Sequence, residues 1–598
     1  MTGHARHFIP CLLLACAAGA ARAASAQATG TPDDAIRVNQ VGYLPDAPKV
    51  AVVCALAPRA VATFEVVDGT GRRVYGPKTA TASGAYGPCA ETYRLDFSAL
   101  RTPGTYRLRA GDLTSPDVKI DATVWNGLAD MPLRYMRQQR SGWNPVYNAA
   151  VHTKDGIVVD HPTRAGEYVS ASGGWADASD YLQYVTTSAT ATFQLLQAYR
   201  DHPRAFGDEY QADGRPGANG VPDVLDEARH GLAWLLKMFP DDSLMLNQLG
   251  DDRDHMFFDL PQNDSSDYGW GKGGARPLYP CTGIAQGLLR YQNRATGYAS
   301  TAGKFAAAFA MGAQQLRTRE PALADTLARK ARAAFALGEK YPGACQTAPA
   351  RGPYFYEEDD WADDMELGAA ALYALTGEGK YRMRAMTFAA QAKVKPWMGA
   401  DTASHYQWYP FHNIGHFEAA RRAEPASGAR LASYYGDGLK AVADKATNGF
   451  NVGVPFIWCS NDLMTSLAVQ GILYRRMTGD ARFRSLEQSA IDWLFGTNPW
   501  GISMVIGVPA NGTFARDPHA VISIRLKYQL DGALLDGPVY TSIYKNLLGI
   551  SLTKPDAYAK WNTGFIVYHD DWGDYSTNEP IMDGSVNMLY LLSALARP

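Results

Sequence analysis

Cysteine is scarce, seven in 598 residues, and neither a C-x-x-C pair nor an H-E-x-x-H sequence occurs, so nothing nominates a zinc catalyst. An excess of either charge is missing too. Lys+Arg total 57 against 60 Asp+Glu, which argues against a nucleic-acid footprint and against a disordered polyelectrolyte. Beyond the N-terminal segment there is no run of 18 apolar residues, and no membrane-spanning helix is expected. Phosphate-binding loops are also missing: Gly214 to Gly220 is glycine-rich but follows no predicted strand and lacks a Lys-Ser/Thr. No short repeat period supports a solenoid. What is present is bulk. An apolar content of 46% over this length fits several domains or one large enzyme body with an accessory module. Aromatics are abundant, with 33 Tyr and 13 Trp, flat amphipathic faces suited to lining a groove.

Residues 1–28 read as a secretory signal peptide: basic Arg6, an apolar stretch from Phe8 to Ala21, then small residues at Ala21-Arg22-Ala23 and Ala26-Gln27-Ala28. Export, to the periplasm or the medium, is the expectation, with a lipid anchor at Cys16 as the weaker alternative. Removing Cys11 and Cys16 leaves an odd five. Cys54 and Cys89 share one predicted β-module and are placed to bridge, whereas Cys281, Cys345 and Cys459 read as buried small hydrophobes.

From Arg37 to about Asp121, short β-branched and aromatic runs alternate with turns such as Asp68-Gly69 and Pro103-Gly104, predicting a small antiparallel β-sandwich over 37–121. After about Val124 the apolar spacing becomes helical. Segments Tyr181 to Tyr199, Val224 to Met238, Ala302 to Leu316, Leu323 to Leu337, Glu366 to Leu375, Leu431 to Ala446, Asp462 to Met477, Phe483 to Phe495 and Met582 to Leu595 lead a predicted set of about a dozen helices. A ring of helical hairpins and an irregular bundle both fit that pattern.

Three constellations carry candidate chemistry. In Gly173-Gly174-Trp175-Ala176-Asp177-Ala178-Ser179-Asp180, two glycines force an unusual path and two carboxylates fall at i and i+3, where like charges raise one pKa and favour a shared water. Taken alone, an Asp capping the following helix is the simpler account. In Tyr568 to Pro580, acids including Asp570 and Glu579 sit among Trp572 and Tyr575. A Glu desolvated beside aromatics has its pKa raised, as a proton donor needs; an exposed acidic or calcium-binding loop is the plainer alternative. His519 follows Pro518 and is a candidate for a substrate hydroxyl. Trp408, Tyr409, His412 and His416 crowd one segment; Glu357 to Asp364 reads as a solvated helix start, and Asp251, Asp252 and Asp254 as a weak calcium set. The common denominator is cofactor-free hydrolysis: one carboxylate to activate water, another to donate a proton.

With these residues in place the chain resembles glycoside hydrolase family 9, mostly β-1,4-glucanases, in the subgroup with an N-terminal immunoglobulin-like module. Arg37 to Pro45 looks like the opening of that module, Gly173 to Tyr184 like the family's Gly-Gly-Trp-x-Asp-Ala-Gly-Asp segment, and Asn219 to Ala228 like the next helix. The resemblance implies an (α/α)6 barrel over 124–598. It assigns Asp180 as general base, Asp177 as its partner in holding water, Glu579 as general acid and Asp570 as an acidic residue of the same motif. Inversion in one displacement then asks for carboxyls roughly 6.5 to 9.5 Å apart. Trp175, Trp408, Trp572, Tyr575 and His519 are the expected sugar contacts. A saccharide substrate, no required cofactor and a monomer follow, with exo action and a glycan-binding protein without turnover as alternatives. Several positions depart from the family pattern. Ser179 replaces a Gly, Ala520-Val521 replace the His-Arg after the first His, leaving Arg516 and Arg525 as substitutes, Pro580-Ile581 follow the acid, and Arg140-Ser141-Gly142 stand where relatives carry a zinc-binding Cys.

Overall fold

The computed structural model describes residues 34–254, 258–287, 291–350, 356–358, 360–392 and 413–597. The signal-peptide segment and Trp408, Tyr409 and His412 lie outside these residues. Nine strands build the N-terminal sandwich: β1 Asp34–Arg37, β2 Val50–Ala55, β3 Thr63–Asp68, β4 Arg73–Thr79, β5 Thr81–Tyr86, β6 Cys89–Asp96, β7 Gly104–Ala110, β8 Leu113–Thr114 and β9 Val118–Ile120. One sheet runs β1-β2-β6-β5 and the other β4-β3-β7-β8, with β9 added to β7. β7 alternates as a half-buried strand should, Tyr106, Leu108 and Ala110 facing inward. β2 is buried on both faces. Its Ala51 and Val53 belong to the sandwich core, while Val52 and Cys54 join the large core of the helical body. The sandwich is therefore docked, and polar ties fix it: Asn39 Nδ2 donates to Asp492 Oδ1 at 2.9 Å and Arg94 to the Gly449 carbonyl at 2.7 Å.

Fifteen α-helices follow among the described residues: α1 Met131–Gln139, α2 Val185–Asp201, α3 Asp223–Met238, α4 Ala299–Leu316, α5 Pro321–Lys340, α6 Ala362–Thr376, α7 Gly379–Ala392, α8 Ile414–Ala420, α9 Pro425–Ala443, α10 Ser460–Thr478, α11 Arg484–Leu494, α12 Val521–Leu526, α13 Thr541–Tyr544, α14 Tyr575–Asn578 and α15 Met582–Leu595. Six of them close a ring, each packing on the next: α2, α4, α6, α8, α10, α15 and back to α2. The partners α3, α5, α7, α9, α11 and α1 pack outside them, which makes an (α/α)6 barrel. The two layers differ in composition as burial demands. Outer α5 buries one stripe, Ala324, Leu327, Ala328, Ala331, Ala334, Phe335 and Gly338, whereas inner α2 is buried continuously from Val185 to Ala198. No helix among the described residues is long and apolar enough to cross a membrane.

Cys54 and Cys89 are bonded, joining β2 to β6. Cys281 and Cys345 are bonded as well, which corrects the reading of them as separate buried hydrophobes; Cys459 alone among the described cysteines is a buried thiol outside a disulfide.

Candidate active site

The loops entering the inner helices gather the acids at one end of the ring. The first runs from Gly173 into α2. Gly174 holds φ +73°, and a Cβ there would lie 2.6 Å from the Trp234 ring, so the chain turns where a side chain cannot fit. The Gly174 carbonyl then accepts from Ser141 N at 2.8 Å and from His230 at 2.9 Å, while Gln139 at the end of α1 brackets Ala176 through both its backbone and its side chain. Neither Asp caps α2, whose N-cap is Tyr184 without a side-chain bond. Their carboxyls take other partners. Asp177 accepts the hydroxyls of Thr187 and Tyr356, both at 2.5 Å, and Asp180 accepts Leu182 N at 3.0 Å.

Trp175, expected on the sugar wall, is fully buried, with its indole donating to Glu227 at 2.8 Å, so it is packing beneath the loop. Arg140, in place of a zinc-binding residue, forms a bidentate pair with the same Glu227 at 2.7 and 3.0 Å. Burial pushes the Glu227 carboxyl up, but the Arg140 guanidinium more than offsets it and holds the group at about 2. A folded pKa below the unfolded value of about 4.3 means that this stabilisation is complete above about pH 4.3 and is lost as pH falls towards 2. Glu227→Ala strands Arg140 in the core, and the expected cost is about 3 to 5 kcal/mol in a urea titration at neutral pH. A loss under about 1 kcal/mol would show that the pair is dispensable.

The second loop delivers Glu579, three residues before α15 begins at Met582. Its Oε1 accepts the backbone N–H of Ser179 at 3.0 Å and the Ser179 hydroxyl, joining segments 400 residues apart. Met582 N donates to the Asp177 carbonyl at 3.0 Å, a second tie between the same two segments. Burial raises Glu579 above the ordinary carboxyl value; His519 acts to lower it, the Asp180 charge to raise it. Asp177 is pushed well up by burial and by the Asp583 and Asp180 charges. Asp583, one turn beyond Glu579, is raised to about 7 by burial. Asp536 is raised by burial and by Glu579, and its backbone N–H donates to the Glu579 carbonyl at 2.8 Å. Asp177, Asp536, Asp583 and Glu579 thus share a buried centre with Asp180, and burial favours the neutral form of those four.

Around this centre His519 donates Nδ1–H to the Trp572 carbonyl, an oxygen that can only accept, which leaves Nε2 as its uncommitted ring nitrogen. Its ring stacks on Phe258 at 4.8 Å and meets Tyr575 at 6.1 Å; Trp572, 37% exposed, lies parallel to Phe258. Asp570 accepts the backbone N–H groups of Arg516 and Asp517 and so braces the segment leading to His519. The Arg516 guanidinium lies over Phe514, and Arg525 pairs with Asp259 at 3.5 Å.

Other expectations change. Glu358 and Asp364, read as part of a solvated helix start, are buried around Lys304 of α4. Asp251 is taken by Arg253 and Tyr279, and Asp252 accepts the Ala350 N–H, so two of the three proposed calcium ligands are engaged within the protein. His416 is buried against Glu366 at 2.8 Å. Among the described residues no group of three or more His, Cys, Asp or Glu is arranged to hold a metal. Sequence reasoning missed Thr187, Tyr356, Asp536 and Asp583. The last two had a signal, an acid inside the apolar run Leu534-Leu535-Asp536 and an acid four residues after Glu579 at helical spacing.

A helical double ring with clustered buried carboxyls where loops enter its inner helices, and stacked aromatics beside them, is the architecture of a carbohydrate hydrolase. The sequence profile of glycosyl hydrolase family 9 matches residues 125–592, and that of the cellulase N-terminal Ig-like domain matches residues 31–115. The chain belongs to glycosyl hydrolase family 9, a family of inverting β-1,4-glucan hydrolases that need no organic cofactor. It is 30% identical over 512 residues to endoglucanase C of Cellulomonas fimi, covering 79% of this chain and 44% of that protein, so it spans less than half of that relative. It is 27% identical over 558 residues to a xyloglucan-specific endo-β-1,4-glucanase of Bacteroides ovatus, covering 87% and 88% of the two. Among solved structures, a metagenome-derived family 9 endoglucanase superimposes with a TM-score of 0.73 at 27% identity, over 94% of this chain and 99% of that one.

Proposed function

We propose that the chain is an exported, monomeric enzyme that cuts β-1,4-linked glucan chains internally with inversion, its sandwich at 37–121 supporting a catalytic barrel at 124–598. Glu579 gives its proton to the glycosidic oxygen as the C1–O bond breaks. A water held by Asp177 and Asp180 attacks C1 from the opposite face and passes its proton to Asp180. The products are a new reducing end and a new non-reducing end; Glu579 is left ionised, Asp180 protonated, and solvent resets both. His519 hydrogen-bonds a sugar hydroxyl through Nε2, and Trp572, Tyr575 and Phe258 offer faces to the CH-rich side of the sugar rings. Asp570 contributes by holding the strand that carries His519. A saccharide is the one ligand the scheme requires. A structural calcium is compatible with the scheme but is not required by it.

The observation that carries this reading is the pair of hydrogen bonds from Ser179, the neighbour of the proposed base, to the carboxyl of the proposed acid 400 residues away. Proton NMR of fresh digests of a soluble β-1,4-glucan is expected to show the α-anomer first, with viscosity falling well ahead of reducing-sugar release. Initial β-anomer, or early release of terminal sugars only, would contradict the mechanism or the internal mode respectively.

A further inference from the structure

We propose that Ser179 is a positioning residue for the acid: its backbone N–H and its hydroxyl both donate to Oε1 of Glu579 and thereby assign the transferable proton to Oε2. The inference rests on the reading of Glu579 as the proton donor. A protonated carboxyl has one carbonyl-type oxygen and one hydroxyl oxygen. An amide N–H can only donate, so the oxygen facing Ser179 N at 3.0 Å is the accepting one. The serine hydroxyl rotates to suit its partner and adds a second donor to that same oxygen. Oε2 receives no hydrogen bond from the described residues and is not sealed from solvent, so it is the oxygen left to face a substrate.

The other ionisable groups facing Glu579 are His519, Asp180, Asp536, Tyr575 and Tyr135. Several are committed elsewhere. His519 Nδ1 donates to Trp572 O, Tyr575 to Leu548 O and Tyr135 to Pro580 O, while Asp536 accepts from the Cys459 thiol and Asp180 accepts from Leu182 N. Ser179 is the residue aimed at the acid. Its contribution is directional in charge as well as in space. A donor bonds a carboxylate about twice as strongly as it bonds the neutral acid, so the hydroxyl favours the ionised form and opposes the upward push of burial. Glu579 is thereby kept a strong enough acid to release its proton in the transition state.

The test is the pH dependence of kcat for Ser179→Ala, Ser179→Gly and Ser179→Thr. Each would be assayed on cellotetraose and on a dinitrophenyl β-cellobioside whose leaving group needs little protonation. For Ser179→Ala and Ser179→Gly, which keep the N–H and lose the hydroxyl, kcat on cellotetraose is expected to fall about 10-fold at nearly constant KM. The alkaline limb should move up by roughly one pH unit. On the activated glycoside the loss should stay within about 2-fold, and Ser179→Thr should restore both rate and limb. A stationary limb with equal losses on both substrates would make Ser179 a purely structural residue and overturn the proposal, as would wild-type kinetics in Ser179→Ala. Thermal melts of each variant separate misfolding from mispositioning. If Glu579→Gln hydrolyses cellotetraose at the wild-type rate, the acid assignment fails and this proposal with it. An inactive Glu579→Gln beside an unaffected Ser179→Ala condemns the proposal alone.

Discussion

Glu579→Gln is expected to lower kcat on an unactivated β-1,4-glucan by about 10³-fold while leaving substrate affinity within about 3-fold, because general-acid assistance contributes on the order of 10² to 10⁴ to such a cleavage. The substitution is close to isosteric. The glutamine carbonyl can still accept both Ser179 donors, so the tie between the two acid-bearing segments survives and the melting temperature should not fall. Burial already favours the neutral form of Glu579, and a neutral amide in its place adds no buried charge. The loss should shrink sharply on a dinitrophenyl glycoside, whose leaving group departs without a proton. Turnover measured by reducing-sugar release, beside binding measured by calorimetry on the same protein, checks both halves. Unchanged turnover would move the acid role to Asp536 or Asp583, the neighbouring carboxyls raised by burial.

Much of the barrel is legible in the sequence because its outer layer obeys helical spacing. The stripe of α5 announces itself, and Met582 to Leu595 matches α15 at both ends. α1, α7 and α8 are not anticipated. α1 buries Arg137, Gln138 and Gln139, and Arg137 is accommodated by Asp223 at 3.0 Å and by the ring of Tyr210. Hydropathy reads such residues as exposed because their partners lie far along the chain. Lys304 is the same lesson in reverse, since it neutralises Glu358 and Asp364 from another helix and turns an apparently solvated acidic run into core. The disulfide between Cys281 and Cys345 spans 64 residues and leaves no local trace. At the site, the two glycines correctly signal an unusual path, but direction is not encoded there: Trp175 points inward, and the carboxyls that local rules would spend on a helix cap are held by Thr187, Tyr356 and Leu182. The proposed acid and base come from motif resemblance, and the meeting of their segments requires the closed ring of six inner helices.

Asp180→Asn should give the opposite substrate signature to Glu579→Gln. Water must be deprotonated whatever the leaving group, so kcat is expected to fall by about 10² to 10⁴ on the glucan and on the dinitrophenyl glycoside alike. The environments of the two aspartates favour Asp180 over Asp177 for the proposed role of base. Asp177 has both oxygens engaged by hydroxyl donors, Thr187 on one and Tyr356 on the other, and burial with two neighbouring acids raises it well above the carboxylate range. It is suited to hold a water in place. Asp180 is anchored through Oδ1 by the Leu182 N–H of its own turn, next to the residue that touches the acid. The carboxamide oxygen introduced by Asp180→Asn can keep that anchor, so the fold and the substrate affinity should persist. Azide, which needs no deprotonation, should restore cleavage of the activated glycoside by attacking C1 from the face the water used, giving an α-glycosyl azide. Rescue with that configuration places the missing function on the water side of the sugar. A glycosyl azide of β configuration, or equal rescue of Glu579→Gln, would mean that the two carboxyls do not stand on opposite faces of the scissile bond, and the inverting mechanism would have to be abandoned.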